Sequence, residues 1–257
     1  MSDVAPTIDL NFPLTDRVAL VTGAGSGIGA AIASALAAKG ARVALLDLNE
    51  AAAQSQADTL GGQAKAFRCD VSDPASVQSA VQAVVDAFGQ IDIAVNSAGI
   101  VALAPAEELS LDAWNKTIAI NLSGTFLLSQ AVGRVMIAAG TKGRIINLAS
   151  QAGTVAIDEH VAYCASKFGV IGLSKTLAAE WGKHGITVNT ISPTIVLTEL
   201  GKQAWGGQKG EDAKKRIPAG RFAFPEEIAA AAVFLASDGA QMINGADLLI
   251  DGGYTII

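Results

Sequence analysis

The sequence predicts an α/β fold: a single domain with a doubly wound parallel sheet in a three-layer α/β/α sandwich. Three observations lead there. Short runs that are apolar on both faces recur along the chain, Ala-rich segments of helical length separate them, and a glycine-rich turn joins the first run to the first such segment. A strand that is apolar on both faces needs cover on both sides, which the crossover helices between parallel strands supply.

The strand-like runs are "RVALVT" (Arg17–Thr22), "RVALLD" (Arg42–Asp47), "AKAFRCDV" (Ala64–Val71), "IDIAVN" (Ile91–Asn96), "GRIINLAS" (Gly143–Ser150) and "ITVNTIS" (Ile186–Ser192). Each is followed by a helix-like stretch. With 257 residues, 51% of them apolar, the chain can bury one large core, and no linker, repeat or shift of composition divides it. Residues 1–13 read as an N-terminal extension. Thr198–Pro218, with "GKQAWGGQKGEDAKKR", is the least regular stretch and is expected to be a mobile segment beside the substrate.

Charge and cysteine use narrow the function. A formal net charge of −6 lacks the basic footprint of a nucleic-acid-binding or anionic-membrane-binding protein. Cys69 and Cys164 have neither metal nor redox spacing and read as small buried hydrophobes of a reducing cytoplasm. No basic leader precedes an apolar run, and no apolar stretch is expected to span a bilayer. The expected partners are a small molecule and further copies of the chain. The stretches Tyr163–Trp181 and Leu111–Ile137 are apolar over more than one face, which suggests a homo-oligomer.

The turn "VTGAGSGIGAAIASALAAKG" follows a strand and opens a helix, the context that turns a common glycine cluster into a dinucleotide fingerprint. Gly23 permits the turn, Gly27 lets main chain approach a pyrophosphate, and Gly29 allows close packing. Ser26 and Ile28 lie between them, and free N–H groups at the helix start attract the anion. Asp47, at the end of the second run, can accept hydrogen bonds from both adenosine ribose hydroxyls and would repel a 2′-phosphate. Neither Ser26 nor Leu48 compensates that charge, so NAD is expected over NADP. Asp70 and Val71 are placed to hold adenine, and Asn96, Ala98 and Gly99 of "NSAG" end the fourth run at the same edge. The fold is therefore expected to be of Rossmann type.

Tyr163 and Lys167 are four apart at a helix start and share a face, and Ser150 ends the preceding strand where it can meet them. This trio, downstream of "TGAGSGIG", resembles the short-chain dehydrogenase/reductase family. The resemblance runs from about Leu14 to the C-terminus and includes Asp47, Asp70, "NSAG", Asn121 in "IAINLSGTF", Pro193, Thr198 and the terminal "LIDGG". It implies that Tyr163 is the general acid/base, that Ser150 positions the substrate oxygen, that Lys167 binds the nicotinamide ribose and tunes Tyr163, and that Asn121 anchors a water. It also implies that Pro193, Thr194, Ile195, Val196 and Thr198 contact the cofactor and that the oligomer is a tetramer.

Two positions depart from the usual pattern: Ser97 replaces the second asparagine of "NNAG", and Thr194 stands where glycine is commoner. "PT" followed by "IVLT", Ser150-Gln151, "HVAYCASK" and Trp205 resemble the polyol branch of the family. Gln151, His160 and Trp205 are accordingly the candidate substrate contacts, beside Ser150 and Tyr163, for oxidation of a short sugar alcohol to its ketose. A carbonyl or 3-oxoacyl reductase and a non-catalytic dinucleotide-sensing scaffold are the alternatives. His160 and His184, the only histidines, have no partner at ligand spacing, so no metal site is expected. Ser150 lacks the flanking glycines of a hydrolase nucleophile elbow.

Overall fold

The computed structural model describes residues 8–257, apart from the side chains at positions 200, 203 and 204. The first seven residues of the expected N-terminal extension lie outside the described residues. In chain order the elements are β1 (Val18–Thr22), α1 (Gly27–Ala38), β2 (Arg42–Asp47), α2 (Glu50–Leu60), β3 (Ala64–Arg68), α3 (Pro74–Phe88), β4 (Ile93–Asn96), α4 (Leu111–Ile118), α5 (Gly124–Ala139), β5 (Arg144–Leu148), α6 (Val161–Trp181), β6 (Thr187–Pro193), α7 (Glu199–Ala204), α8 (Gly207–Lys215), α9 (Pro225–Ala236) and β7 (Asp247–Ile250).

The strands form one parallel sheet in the order β3-β2-β1-β4-β5-β6-β7. The chain winds outward from β1 to β3, then returns to lay β4 on the other side of β1. That reversal opens a crevice at the carboxyl ends of β1 and β4, where open α/β sheets take ligands.

Successive strand residues point to opposite faces, and the core divides accordingly. Ala19, Val21, Val43 and Leu45 pack with Ile32 and Leu36 of α1 and Ile228 and Ala232 of α9. Val18, Leu20, Ala44 and Leu46 pack with Val77, Val81 and Val84 of α3 and Leu128, Val132 and Met136 of α5. Each large aliphatic side chain buried this way contributes roughly 1.5–3 kcal/mol. The three-layer sandwich is as expected.

Four features differ from the sequence reading. A seventh strand, β7, pairs with β6 from Thr190↔Asp247 to Pro193↔Ile250. Its four residues are all partly or well exposed, so it lacks the apolar run that marks the inner strands. Asp247 ties it in, because one carboxylate oxygen accepts the hydroxyls of Thr190 and Ser192, each at 2.6 Å. The segment after Thr198 folds into α7 and α8. Thr198 caps α7 by accepting Gly201 N–H, and Lys–carboxylate pairs lie three apart on the exposed turns.

The third β-run is shorter than expected: β3 ends at Arg68 and leaves Asp70 and Val71 in the turn beyond. The fourth correction concerns length. The long helical stretch expected over Leu111–Ile137 runs as one rod of 29 residues, Leu111–Ala139, and contrary to expectation it is long and apolar enough by composition to cross a membrane. Here its inner side is core, with Leu128, Val132 and Met136 fully buried. Between α4 and α5 the rod contains a single π-helical turn, Ala119–Ser123.

Candidate active site

A cleft of about 490 Å³ follows the carboxyl edge of the sheet from β3 to β6. At its β1–β3 end the walls are Gly23, Ser26, Gly27, Ile28, Gly29, Asp47, Leu48, Cys69, Asp70 and Val71. Gly23 has a φ of +64°, the left-handed conformation that a glycine adopts freely. A Cβ on Gly29 would collide with the carbonyl oxygen of Gly23, so this packing of helix start on turn admits no side chain. The first turn of α1 carries no acidic residue, leaving its N–H groups and helix dipole open to an anion.

Asp47 is held rigidly at this end. One carboxylate oxygen accepts Gly25 N–H at 2.9 Å and the other accepts Asn49 N–H at 2.9 Å. Asp70 is likewise fastened: Ser72 donates both its hydroxyl, at 2.6 Å, and its N–H, at 2.9 Å, to one oxygen. These bonds hold the Asp70 carboxyl below its ordinary pKa. Burial does the opposite to Cys69, whose thiol is pushed up to about 11 and stays protonated and unreactive.

At the other end Ser150, Tyr163, Lys167, Pro193, Thr194 and Thr198 meet Ala98, Gly99, Ile100 and Val101. Ser150 leaves β5 in extended conformation and accepts Ala152 N–H at 3.1 Å, which points its hydroxyl toward α6. Tyr163 and Lys167 lie one turn apart on α6, with the Lys167 ammonium 5.5 Å from the centre of the Tyr163 ring. Lys167 is buried and donates to the carbonyl oxygen of Leu148 at 2.6 Å. Desolvation lowers its pKa from 10.5 to about 8.

Tyr163 is half-buried. Burial raises the phenol pKa, an effect that the hydrogen bond with Ser150 partly offsets. The protein alone therefore keeps this phenol protonated near neutrality. Its deprotonation needs positive charge brought into the cleft.

Known proteins resemble this chain over nearly its whole length. The family model described as enoyl-(acyl carrier protein) reductase matches residues 23–255. D-threitol dehydrogenase of Mycolicibacterium smegmatis is 67% identical over 253 residues, 97% of each chain. The NAD-dependent glycerol dehydrogenase of Listeria innocua is 50% identical over 248 residues, 96% of this chain and 97% of its own. Among solved structures, one described as a "putative NAD(P) dependent gluconate 5-dehydrogenase" from Beutenbergia cavernae, with NADP bound at low occupancy, superposes with a TM-score of 0.90 at 39% identity, covering 96% of this chain and 99% of that one.

The chain belongs to the short-chain dehydrogenase/reductase family. It is an oxidoreductase of CH–OH groups and depends on a dinucleotide. The remaining family positions divide by location. Asn121 stands behind the cleft wall, in the π-helical turn, and clasps Ile100: its Oδ1 accepts Ile100 N–H and its Nδ2 donates to Ile100 O, both at 2.9 Å. Asn96 does not reach the cleft; its amide donates to Ser129 Oγ at 3.0 Å and Asn147 Oδ1 at 2.7 Å beneath the sheet edge. Ile195 and Val196 join the main chain of Ala223 rather than the cleft wall.

The three polyol-type positions also separate. Gln151 is 6% exposed, directly after Ser150, with its Oε1 buried and without a hydrogen-bond partner among the described residues. His160 sets its ring edge-on to Tyr163, 6.1 Å between centres. Its Nδ1 lies 2.6 Å from Asp158 O, a carbonyl that can only accept, so the neutral ring presents Nε2 as an acceptor. Trp205 instead anchors the loop, tilted against Phe222 at 6.0 Å with Lys209 over its face at 4.9 Å.

Two contributions escaped the sequence reading. Thr22, inside β1, accepts Ser97 N–H at 3.1 Å and Ala98 N–H at 3.2 Å and so holds the "NSAG" turn. Ile100, Val101, Ile120, Leu148 and Ala149 also line the cleft without any polar signal. For Thr22 the available sign was a hydroxyl preceding the glycine turn in an otherwise apolar strand.

Proposed function

We propose that this chain is an NAD-dependent polyol dehydrogenase that oxidises a secondary alcohol of a short sugar alcohol to the ketose, a four-carbon tetritol first. The observation that carries the proposal is the meeting of buried Ser150 and Lys167 with half-buried Tyr163 at one end of a cleft whose other end carries Asp47. The likeness to D-threitol dehydrogenase supports the substrate class. The residues fit the cofactor: Gly23, Gly27 and Gly29 line the cleft where α1 begins, and the Asp47 carboxylate, already oriented by two N–H donors, lines the same end. Asp47 beside uncharged Leu48 favours NAD, because a 2′-phosphate there would face a carboxylate with no lysine or arginine among the described residues that line this end of the cleft.

Bound in the cleft, the dinucleotide supplies a hydride acceptor and a positively charged ring. Ser150 orients the alcohol oxygen by hydrogen bonding. The Tyr163 phenolate oxygen takes the alcohol proton, and Lys167 lowers the cost of that phenolate. Taking the phenol from its ordinary pKa near 10 to neutrality needs about 4 kcal/mol of preferential stabilisation, more than one exposed ion pair provides. The dry surroundings of Lys167 are what make its charge effective at this range. Asn121, through Ile100, holds the opposite wall, and the resemblance gives it the anchoring of a relay water.

Gln151, directly after Ser150, and His160, edge-on to Tyr163, are the polar groups this reading assigns to neighbouring hydroxyls, and both stand just behind the residues that line the cleft. A site that bonds such hydroxyls discriminates strongly against analogues lacking them. The same reading takes the protein to be a cytoplasmic homotetramer, supported by its free cysteines and by Phe126, Val161 and Phe168, which α5 and α6 leave exposed. The apolar rim of Val101 and Leu103 is the feature that would favour a 3-oxoacyl or carbonyl reductase.

The deciding experiment is a panel of tetritols, pentitols and hexitols with NAD or NADP, read as absorbance at 340 nm, beside Tyr163→Phe. We expect tetritols with NAD to give the highest kcat/KM, and kcat to fall by about 10³-fold or more in the variant while NADH binding changes less than threefold. Turnover of acyl or apolar ketones but of no polyol would move the assignment to the reductase.

A further inference from the structure

We propose that Ser166 is a positioning residue for the acid–base pair, acting as a hydrogen-bonded strut between α6 and the opposite wall of the cleft. This rests on the dehydrogenase reading of Tyr163 given above. The observation is a continuous chain of hydrogen bonds. Asn121 holds Ile100 by two bonds of 2.9 Å, and its Nδ2 also donates to Ser166 Oγ at 3.2 Å. Ser166 Oγ in turn donates to Tyr163 O at 2.7 Å.

Asn121 and Ser166 have no exposed surface, so water cannot substitute for either partner. Each proton on the Asn121 amide is committed, and the single Ser166 proton goes to Tyr163 O. A helical serine often bonds the carbonyl one turn back, and that bond alone would say nothing. Here the same oxygen also accepts from a side chain on another element, and that element grips the loop lining the facing wall. Gly99 lies close behind: a Cβ there would stand 3.3 Å from Asn121 Oδ1 and 3.8 Å from Lys167 Nζ.

The separation between the Tyr163–Lys167 turn and the Gly99–Val101 wall is thus fixed through Ser166 Oγ. Substrate must fit within that separation. Acid–base catalysis tolerates little misplacement, and a shift approaching 1 Å costs about 10²-fold in rate. Removing the hydroxyl leaves Asn121 fully bonded to Ile100 but frees the first turn of α6 from it.

The test is a double-mutant cycle of Ser166→Ala and Asn121→Asp on whichever alcohol the wild-type protein oxidises best, with melting temperature and NADH affinity measured in parallel. In Ser166→Ala we expect kcat to fall about tenfold with KM and NADH affinity within twofold. The acidic limb of the kcat/KM profile should move toward higher pH as Lys167 supports the phenolate less well. The double variant should lose no more than Asn121→Asp alone within about twofold, and Ser166→Cys, which keeps the volume and a weak donor, should recover part of kcat. An unchanged kcat and pH profile in Ser166→Ala, or additive losses in the double variant, overturns the proposal even if melting temperature falls. Failure of the wild-type protein to oxidise any alcohol would instead strike the dehydrogenase reading on which it rests.

Discussion

The nucleotide-facing end of the cleft, from Gly23 to Val71, is shaped mainly by main chain, whereas the reaction end, from Asn121 to Lys167, is shaped by buried side chains. At the first end Asp47 is oriented by two backbone N–H groups, and Asp70 by one backbone N–H and the neighbouring Ser72 hydroxyl. At the second, a lysine and a tyrosine are withdrawn from water and bonded to few partners. The main-chain end is complete before any ligand arrives. The side-chain end carries a desolvation cost in the ligand-free protein that is recovered only in use.

The sharpest way to break this contrast is Lys167→Met. Activity should fall by more than 10³-fold, yet the ligand-free protein should become more stable at pH 7. Burial puts the folded pKa at about 8, below the unfolded 10.5, so between these values the unfolded chain binds more protons and stability rises with pH. The cost is present in full below about pH 8 and is relieved as pH approaches 10.5, worth roughly 3 kcal/mol across the window. Leaving Leu148 O without its donor takes back about 1–2 kcal/mol of the gain. Denaturant melts of both proteins at pH 7 and pH 10 would read the difference, and a variant less stable at pH 7 would show that the lysine is not under strain.

The main-chain end should respond in the opposite sense. Gly29→Ala must displace the turn at Gly23 and should cost about 1–3 kcal/mol together with dinucleotide binding. Gly62→Ala, in open space with nothing within 4 Å, serves as control and should leave the melting temperature within a degree or two. Equal losses in the two variants would remove the claim that the turn is sterically closed.

The smallest effect is selective. Asp47→Asn keeps the acceptor for one N–H but removes the charge, and should narrow the preference for NAD over NADP by about 10-fold while leaving kcat with NAD within a factor of three. Separate kcat/KM determinations with each dinucleotide would show it. An unchanged ratio would place discrimination elsewhere on the cleft.

The same contrast explains what could be read in advance. Six strands and the glycine turn were legible because burial on both faces writes long apolar runs and close main-chain approach demands glycine at fixed spacing. β7 was not, since an edge strand of four residues with Leu248 and Leu249 each 37% exposed carries no such pattern. α7 and α8 were obscured by glycines at 201, 206, 207 and 210, which lower helix propensity; capping by Thr198 and short-range ion pairs restore it. Ser150, Tyr163 and Lys167 could be placed together by helical spacing. Thr22 and Ser166 could not, because their partners lie 75 and 45 residues away and nothing local marks them.

The π-helical turn at Ala119–Ser123 amounts to one residue more than an α-helix of the same length would hold. Each residue of an α-helix advances about 100° around the axis. A chain one residue shorter at this point would make the more regular rod, yet it would swing Asn121 about a quarter-turn away from Ile100 and Ser166. Here the better helix and the better enzyme are different sequences.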